Sequence, residues 1–472
     1  MFKTSDARIR HTLTAAFFIL LFLSLPALPS SASDLQPQVR SFSLREVQDF
    51  AVQHSYNSRK SQLDVLTAKA QVKETTGSGL PQIDSTISYM NNLELTTMLI
   101  PNFFEGKPEE QIAVQFGTQH NTTLGFTVSQ LIFNGSYFVG LQTSKIYSQL
   151  ADKNLERTQL DVLETVTNTY YLILVSEKSQ AILESNIANL EKTLFEVREL
   201  YKEGFVAETD VDLLQISLTK VKNGLQSVQR QKEVAYKLLK FQMGMELGEP
   251  IALTENLEGF LSGSPARSAP LYEFSLVRNI DYQLLEAQEK LSRMALKNEK
   301  MKYWPTIAAF YTFQLSAMRN EFNLFSNERW YRAQMLGINV SIPIFRSGVQ
   351  SARVKKAALA LQQAETTRIQ AAEGLLLEAA SAKAALDSAR DNYQNTKENM
   401  DLSQKVYDRT LIKYKEGVVS SMVLTQAHDQ YLMAQSEYIQ AMSELLSAKN
   451  KLDRLNSSYP GYPMNDFDEE NL

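Results

Sequence analysis

Apolar positions along this chain follow two different periods, and each period occurs twice. Leu183, Ile187, Leu190, Leu194, Val197 and Tyr201 alternate steps of four and three, while Leu386, Tyr393, Met400, Tyr407 and Tyr414 recur every seventh position. Such heptads bury a narrow seam against a neighbouring helix. The first stretch lies between Gly135 and Gly204, the second between Gly348 and Gly417, and neither contains a proline. A helix of roughly 68 residues at about 1.5 Å per residue would be about 100 Å long. Both stretches close on the same four residues, Tyr201-Lys202-Glu203-Gly204 and Tyr414-Lys415-Glu416-Gly417. Return helices follow, with seams at Val211, Leu214, Leu218, Val221, Leu225 and Val228, and at Leu424, Tyr431, Tyr438, Leu445 and Leu452.

Ahead of each long helix the period falls to two, the signature of a strand with one apolar face. Ile83, Ile87 and Tyr89 alternate with Asp84, Thr86 and Ser88, and Leu124, Phe126 and Val128 alternate with Gly125, Thr127 and Ser129. In the second half Ile307, Ala309, Tyr311, Phe313 and Leu315, then Leu336, Ile338, Val340, Ile342 and Ile344, repeat the pattern. The stretch 91–121 holds Pro101, Gly106, Pro108 and Gly117 and is expected to be a long loop. Helical stretches precede both strand pairs. The first opens at Ser43-Leu44-Arg45-Glu46, a capping-box pattern. The unit is therefore helix, strand, loop, strand, long helix, turn, helix, with Pro81 matching Pro305, Phe133 matching Phe345 and Gly204 matching Gly417.

The expected organisation has a first repeat over 33–243, with strands 82–90 and 122–134, a long helix 136–203 and a return helix 209–243. A linker over 244–275 carries Gly248, Pro250, Gly259, Gly263, Pro265 and Pro270. The second repeat covers 276–455, with strands 306–316 and 332–345, a long helix 348–416 and a return helix 421–455; a tail, 456–472, ends the chain. Residues 1–32 read as a signal peptide: Lys3, Arg8 and Arg10 precede an apolar run, Leu13 to Leu25, too short to span a bilayer, and Ser30-Ser31-Ala32 offers a cleavage site.

Composition removes alternatives. There is no cysteine, which excludes disulfides, thiolate metal sites and a lipidated N-terminal cysteine. The four histidines share no ligand-like spacing. A net charge of -5 gives no basic stripe for nucleic acid. No phosphate loop, HExxH or nucleophile elbow is present, so neither catalytic residues nor cofactor are expected.

An exported chain without a spanning helix can enter a membrane only through strands. Four strands cannot close a barrel, since membrane barrels have at least about eight. Two chains would give eight strands, filled by side chains, and three would give twelve, wide enough for a lumen. Trp304, Trp330 and Tyr331 fall where interfacial girdles are expected. The other class to weigh is an exported coiled-coil scaffold or periplasmic adaptor without a pore, which has no need of amphipathic strands at matching places in both halves.

The chain resembles the TolC family of outer-membrane efflux proteins over essentially the whole mature sequence. The resemblance rests on the duplicated plan, the opening Phe42-Ser43-Leu44-Arg45-Glu46-Val47, the Leu80-Pro81 junction, Leu131-Ile132-Phe133-Asn134-Gly135 and the paired Tyr-Lys-Glu-Gly turns. It implies a mainly α fold with a β-barrel part: a homotrimer whose twelve-stranded outer-membrane barrel continues into a long periplasmic α-helical barrel. Such a duct serves a tripartite efflux or type I secretion system, passing small molecules or proteins, with a periplasmic adaptor and an inner-membrane transporter as partners. The resemblance places Tyr201 to Gly204 and Tyr414 to Gly417 at the tip where adaptors dock. It makes Asp210, Asp212, Val423 and Gln426 candidates for the pore constriction. The family's second-copy acids are replaced here by Val423 and Gln426, which puts an acidic ring in doubt.

Overall fold

The computed structural model of the protein describes residues 39–102, 106–262, 274–323, 327–457 and 459. The expected signal peptide, part of the linker and nearly all of the tail lie outside them. The chain opens with β1 (Arg40–Phe42) and α1 (Leu44–His54). The Ser43 N–H donates to Glu46 Oε2 at 2.7 Å and the Ser43 hydroxyl accepts from the Glu46 N–H, so both ends of the capping box are made. Then come α2 (Tyr56–Gly77), β2 (Gln82–Asn91), β3 (Thr96–Asn102), β4 (Lys107–Phe116), β5 (His120–Asn134), α3 (Gly135–Lys202) and α4 (Glu208–Met243). The connection between halves contains β6 (Ile251–Leu253), paired in parallel with β1, and α5 (Leu257–Ser262). The second half has α6 (Ile280–Met301), β7 (Thr306–Arg319), β8 (Tyr331–Ser341), α7 (Val349–Lys415) and α8 (Ser421–Leu455).

Two expectations need correction. The stretch 91–121 is a β-hairpin rather than a loop: β3 and β4 pair antiparallel, Met98 opposite Val114 and Ile100 opposite Ile112. Gly106, at φ +71°, lies in the turn region between them. At the other end of the sheet β8 stops at Ser341, not at 345, and Pro343 has no N–H to continue a ladder.

The four-stranded sheet runs β2-β5-β7-β8, antiparallel throughout. Each strand is joined directly to a helix. α2 leads into β2, β5 leads into α3, α6 leads into β7, and β8 leads into α7. The helices accordingly pack in the same order, α2 on α3, α3 on α6, α6 on α7. Farther from the sheet α4 replaces α2 beside α3, and α8 replaces α6 between α3 and α7.

Two apolar cores hold the rods. The root core joins Val47 and Ala51 of α1, Leu160, Leu163, Val166, Tyr170 and Ile173 of α3, Leu239 and Met243 of α4, and Met442 and Leu446 of α8. A distal core joins Leu190, Leu194 and Val197 of α3, Leu214, Leu218 and Val221 of α4, Tyr407 and Tyr414 of α7, and Leu424 of α8. The accessible surface is 32460 Å², against about 18,000 Å² for a compact monomer of this mass. Among the described residues no helix is long and apolar enough to cross a membrane.

Candidate functional site

The sheet has two chemically distinct faces. Register puts Ile83, Ile87, Leu124, Phe126, Val128, Tyr311, Phe313, Leu315, Leu336, Ile338 and Val340 on one side. Asp84, Thr86, Ser88, Thr123, Thr127, Ser129, Thr312, Ser316 and Asn339 fall on the other. Residues of the apolar side are open to the surroundings, Ile83 at 73% and Leu336 at 80% exposure. A register shift between Leu131 and Phe133 changes the parity of β5, so Phe133 returns to the apolar side opposite Ile307. There its ring lies 6.3 Å from Trp304 and 6.0 Å from Phe138.

The opposite end of the sheet carries a second aromatic group. Tyr89 hydrogen-bonds His120 Nδ1 at 2.9 Å, and Phe322 packs edge-on to both rings. Arg319 lies 6.0 Å from the Trp330 ring centre, and Arg329 lies 5.9 Å from that of Tyr331. Trp304 and Trp330 therefore mark opposite ends of the strands. Tyr331, expected in a girdle, pairs with Ser316 and so takes a polar-face register position. Among the described residues, the outer edges of β2 and β8 have no partner strand.

At the far end of the rods the two hairpin turns have the same backbone. Gly204 has φ +78° and Gly417 φ +73°, the left-handed region that glycine enters without a Cβ clash. The Phe205 N–H donates to Leu200 O and the Gly204 N–H to Tyr201 O, and the Val418 and Gly417 N–H groups reach Lys413 O and Tyr414 O in the same way. These bonds close the helix ends as Schellman-type caps. The side chains differ. Tyr201 is 43% exposed, whereas Tyr414 is 7% exposed and part of the distal core. Lys202 pairs with Glu199 of its own helix at 2.7 Å, and Lys415 crosses to Glu196 of α3 at 2.6 Å. Glu203 and Glu416 are the exposed caps.

The four constriction candidates do not form one cluster of acids. Asp210 is half-buried at the start of α4; its Oδ2 accepts from the Ala207 N–H at 3.1 Å and its Oδ1 accepts from the Ser421 hydroxyl of α8. Asp212, Val423 and Gln426 are exposed. The Tyr414 hydroxyl is pushed above its ordinary pKa by burial and then by the Asp210 charge. Sequence reading missed Ser421, whose partner lies 211 residues away, and the buried His428 beside Tyr407, with ring centres 5.1 Å apart. Across from them Lys220 of α4 lies 3.6 Å from Asp429 of α8. Among the described residues no cluster of three or more His, Asp or Glu could hold a metal ion.

Comparison with known proteins agrees with this architecture. The outer membrane efflux protein family model matches residues 271–456. The outer membrane protein TolC of Vibrio cholerae is 20% identical over 238 residues, 50% of this chain and 54% of that protein. The chain thus spans about half the length of the curated relative it matches. Solved structures extend the likeness in fold to nearly the whole length. CusC, described for its transmembrane channel formation, superposes with a TM-score of 0.71 at 15% identity, covering 92% of this chain and 98% of that one. The Campylobacter jejuni CmeC outer membrane channel gives 0.69 at 16% identity, covering 94% and 95%.

Proposed function

We propose that this chain is a member of the TolC family of outer membrane efflux proteins, similar in sequence over 271–456 and in fold over nearly its whole length, and that it is the outer-membrane exit duct of a tripartite efflux or type I secretion system. The observation that carries this reading is the open sheet. The outer edges of β2 and β8 have no partner strand among the described residues, and its two faces suit lipid on one side and water on the other. Three copies, with β8 of each pairing to β2 of the next, close twelve strands around a lumen. The apolar face then meets outer-membrane lipid, and backbone groups at the edges find partners, as the hydrocarbon region demands.

The helices support the same closure. Because helix order repeats strand order, α7 forms one flank of the protomer along its length, and α2 and then α4 form the other. Leu359, Ile369, Leu377 and Leu402 on α7, and Leu63, Ile216 and Val234 on the other flank, are exposed in the single chain. Packed flank to flank, they build a tube of helices about 100 Å long, reaching through much of the periplasm. The large exposed surface of the protomer is then interface and channel wall.

In this reading the caps at Gly204 and Gly417 are where a periplasmic adaptor docks, and Phe205 and Val418, 77% and 67% exposed, supply apolar contact. Asp210 and the exposed Asp212, Val423 and Gln426 line the narrow end. Of these four, only Asp210 and Asp212 are acids, and both come from the first repeat. The duct is passive, driven by an inner-membrane transporter. The test is fractionation with a gel of unboiled protein. A band at three times the chain mass in the outer-membrane fraction is expected; a soluble periplasmic monomer would overturn the reading.

A further inference from the structure

Where α4 ends beside the start of α2, a groove of about 730 Å³ remains between α2 and α3. Spaces of about 300–1,000 Å³ suit small molecules. Tyr137 of α3 donates to Thr76 O of α2 at 3.2 Å, which sets the two antiparallel helices level there. Ten residues along each, Tyr147 and Leu66 stand at one height, and Tyr56 lies ten residues further along α2. At about 1.5 Å per residue the groove therefore has aromatic rings about 15 Å apart at its two ends. Tyr147 stands at one end; Tyr56 and Phe241, with ring centres 6.1 Å apart, stand at the other.

Between these rings α2 presents Lys60 and Asp64, and α3 adds the amide of Asn154. Lys60 and Asp64 are exposed, and among the described residues neither makes an ion pair or a side-chain hydrogen bond. The remaining charged residue of the lining, Asp161, is already paired with Arg454 at 2.6 Å. Duplication supplies a comparison. The match of Pro81 with Pro305 puts Leu284 and Gln288 where α2 has Lys60 and Asp64. There the helix pair α6–α7 is bridged by its own side chains: Arg368 donates to Glu289 Oε2 at 2.7 Å and to the Tyr282 hydroxyl at 2.5 Å. The open groove with two unpaired opposite charges belongs to the first repeat.

Helix geometry decides which way the groove faces. Leu163 shares the root core with α1, and Thr167 accepts from Gln48 of α1 at 2.8 Å. Thr165, between them, lines the groove. Residues two apart point about 200° apart around a helix, so the groove opens opposite the belt formed by α1, β1, β6 and α5. In the closed tube of the channel reading, on which this step rests, three belts inside would block the bore. The belt therefore lies outside and the groove faces the lumen.

We propose that this groove is a lumenal binding site for zwitterionic aromatic small molecules of dipeptide size. Lys60 and Asp64, four residues apart, are separated by about 6 Å along α2. The terminal ammonium and carboxylate of an extended dipeptide are separated by about 6–7 Å. The carboxylate meets Lys60, the ammonium meets Asp64, and aromatic side chains reach the rings at the two ends. A site on a duct wall must release what it holds, and exposed charges of modest attraction suit that need.

The experiment is a saturation-transfer NMR titration of the purified full-length assembly with the dipeptide Phe-Trp, its methyl ester and its N-acetyl form. Phe-Trp is expected to bind at least about threefold tighter than either blocked form. Lys60→Gln should remove its advantage over the ester, and Asp64→Asn its advantage over the N-acetyl peptide, with the oligomer band unchanged in both. Absence of binding, equal affinities for the three peptides, or a preference unchanged in both variants would overturn the site. The chain has no cysteine, so its placement can be read with Asn154→Cys. A small charged thiol reagent should label that cysteine and a bulky dextran-linked maleimide should not, while Glu258→Cys on α5 should take both. Labelling of Asn154→Cys by both reagents, with the peptide preference intact, removes the lumenal placement and the closed tube behind it and leaves the site. Lost preference with the size discrimination intact removes the site and leaves the duct.

Discussion

Asp210 at the start of α4 accepts a hydrogen bond from the Ser421 hydroxyl at the start of α8, so one carboxylate both closes its own helix end and ties the two tip hairpins together. The two functions can be separated by mutation. Ser421→Ala removes the tie and leaves the cap. Asp210→Ala removes both, at a cost of about 2 kcal/mol to the tip. Single-channel recording should show more frequent opening in Ser421→Ala and more still in Asp210→Ala. Equal behaviour of Ser421→Ala and the unmodified protein would show that the tie does not restrain the tip.

The turn glycines can be tested through the backbone alone. A Cβ built at Gly204 or Gly417 meets no atom within 4 Å, yet both residues have positive φ. Alanine at either should therefore cost about 1–2 kcal/mol from conformation without any steric clash. Limited proteolysis at the tip should accelerate to a similar degree in both variants. If adaptor hairpins read these caps, crosslinking to the adaptor should fall in both as well.

The long helices and the four-stranded sheet were legible because periodic burial over dozens of residues leaves few alternatives: a seam every seventh position, or strict alternation, has one structural solution. The β3–β4 hairpin was hidden by Pro101, Pro108 and Gly117, although Thr96 to Ile100 and Ile112 to Val114 already had strand composition. Duplication made Tyr201 and Tyr414 look equivalent. A heptad marks a buried face but not the neighbour that covers it, and here only Tyr414 faces the other hairpin. The Asp210–Ser421 tie and the polar-face position of Tyr331 depend on contacts and register between distant segments, which local pattern does not encode.

Within the sheet, Gly337 makes room for Phe310. The two are register partners on the polar face, and a Cβ at Gly337 would come within 2.6 Å of the Phe310 ring. Gly337→Val should displace that ring and destabilise the assembled protein by about 1–3 kcal/mol, measured as loss of the heat-resistant oligomer band. Phe310→Ala combined with Gly337→Val should recover most of the loss. If the double variant is no better than Gly337→Val alone, the constraint lies in the backbone rather than in the ring.

Acid should act oppositely on the two ends of the rods. At the root, burial pushes the Asp453 carboxyl up to about 6, with Lys449 opposing. A raised folded value means stability fully present below about pH 4, where the unfolded carboxyl is also protonated, and lost as pH rises through about 6. Asp453→Asn should therefore raise stability at pH 8 by about 1–2 kcal/mol and change little at pH 4. At the tip, burial lowers the pKa of His428, with the adjacent Asp429 opposing and Lys220 of α4 adding to the shift. The Tyr407 ring of α7 covers it and carries no charge to compensate an imidazolium. A lowered folded value means stability present above about 6.5 and lost as pH falls through the folded pKa. Protection of tip amides, taken relative to the intrinsic exchange rate at each pH, should thus fall on acidification from pH 7.5 to 5, while His428→Phe should flatten that response. Protection of root amides should rise over the same interval, and Asp453→Asn should abolish that rise. Parallel acid responses at both ends, or a tip response surviving in His428→Phe, would show that these two side chains do not set the pH dependence.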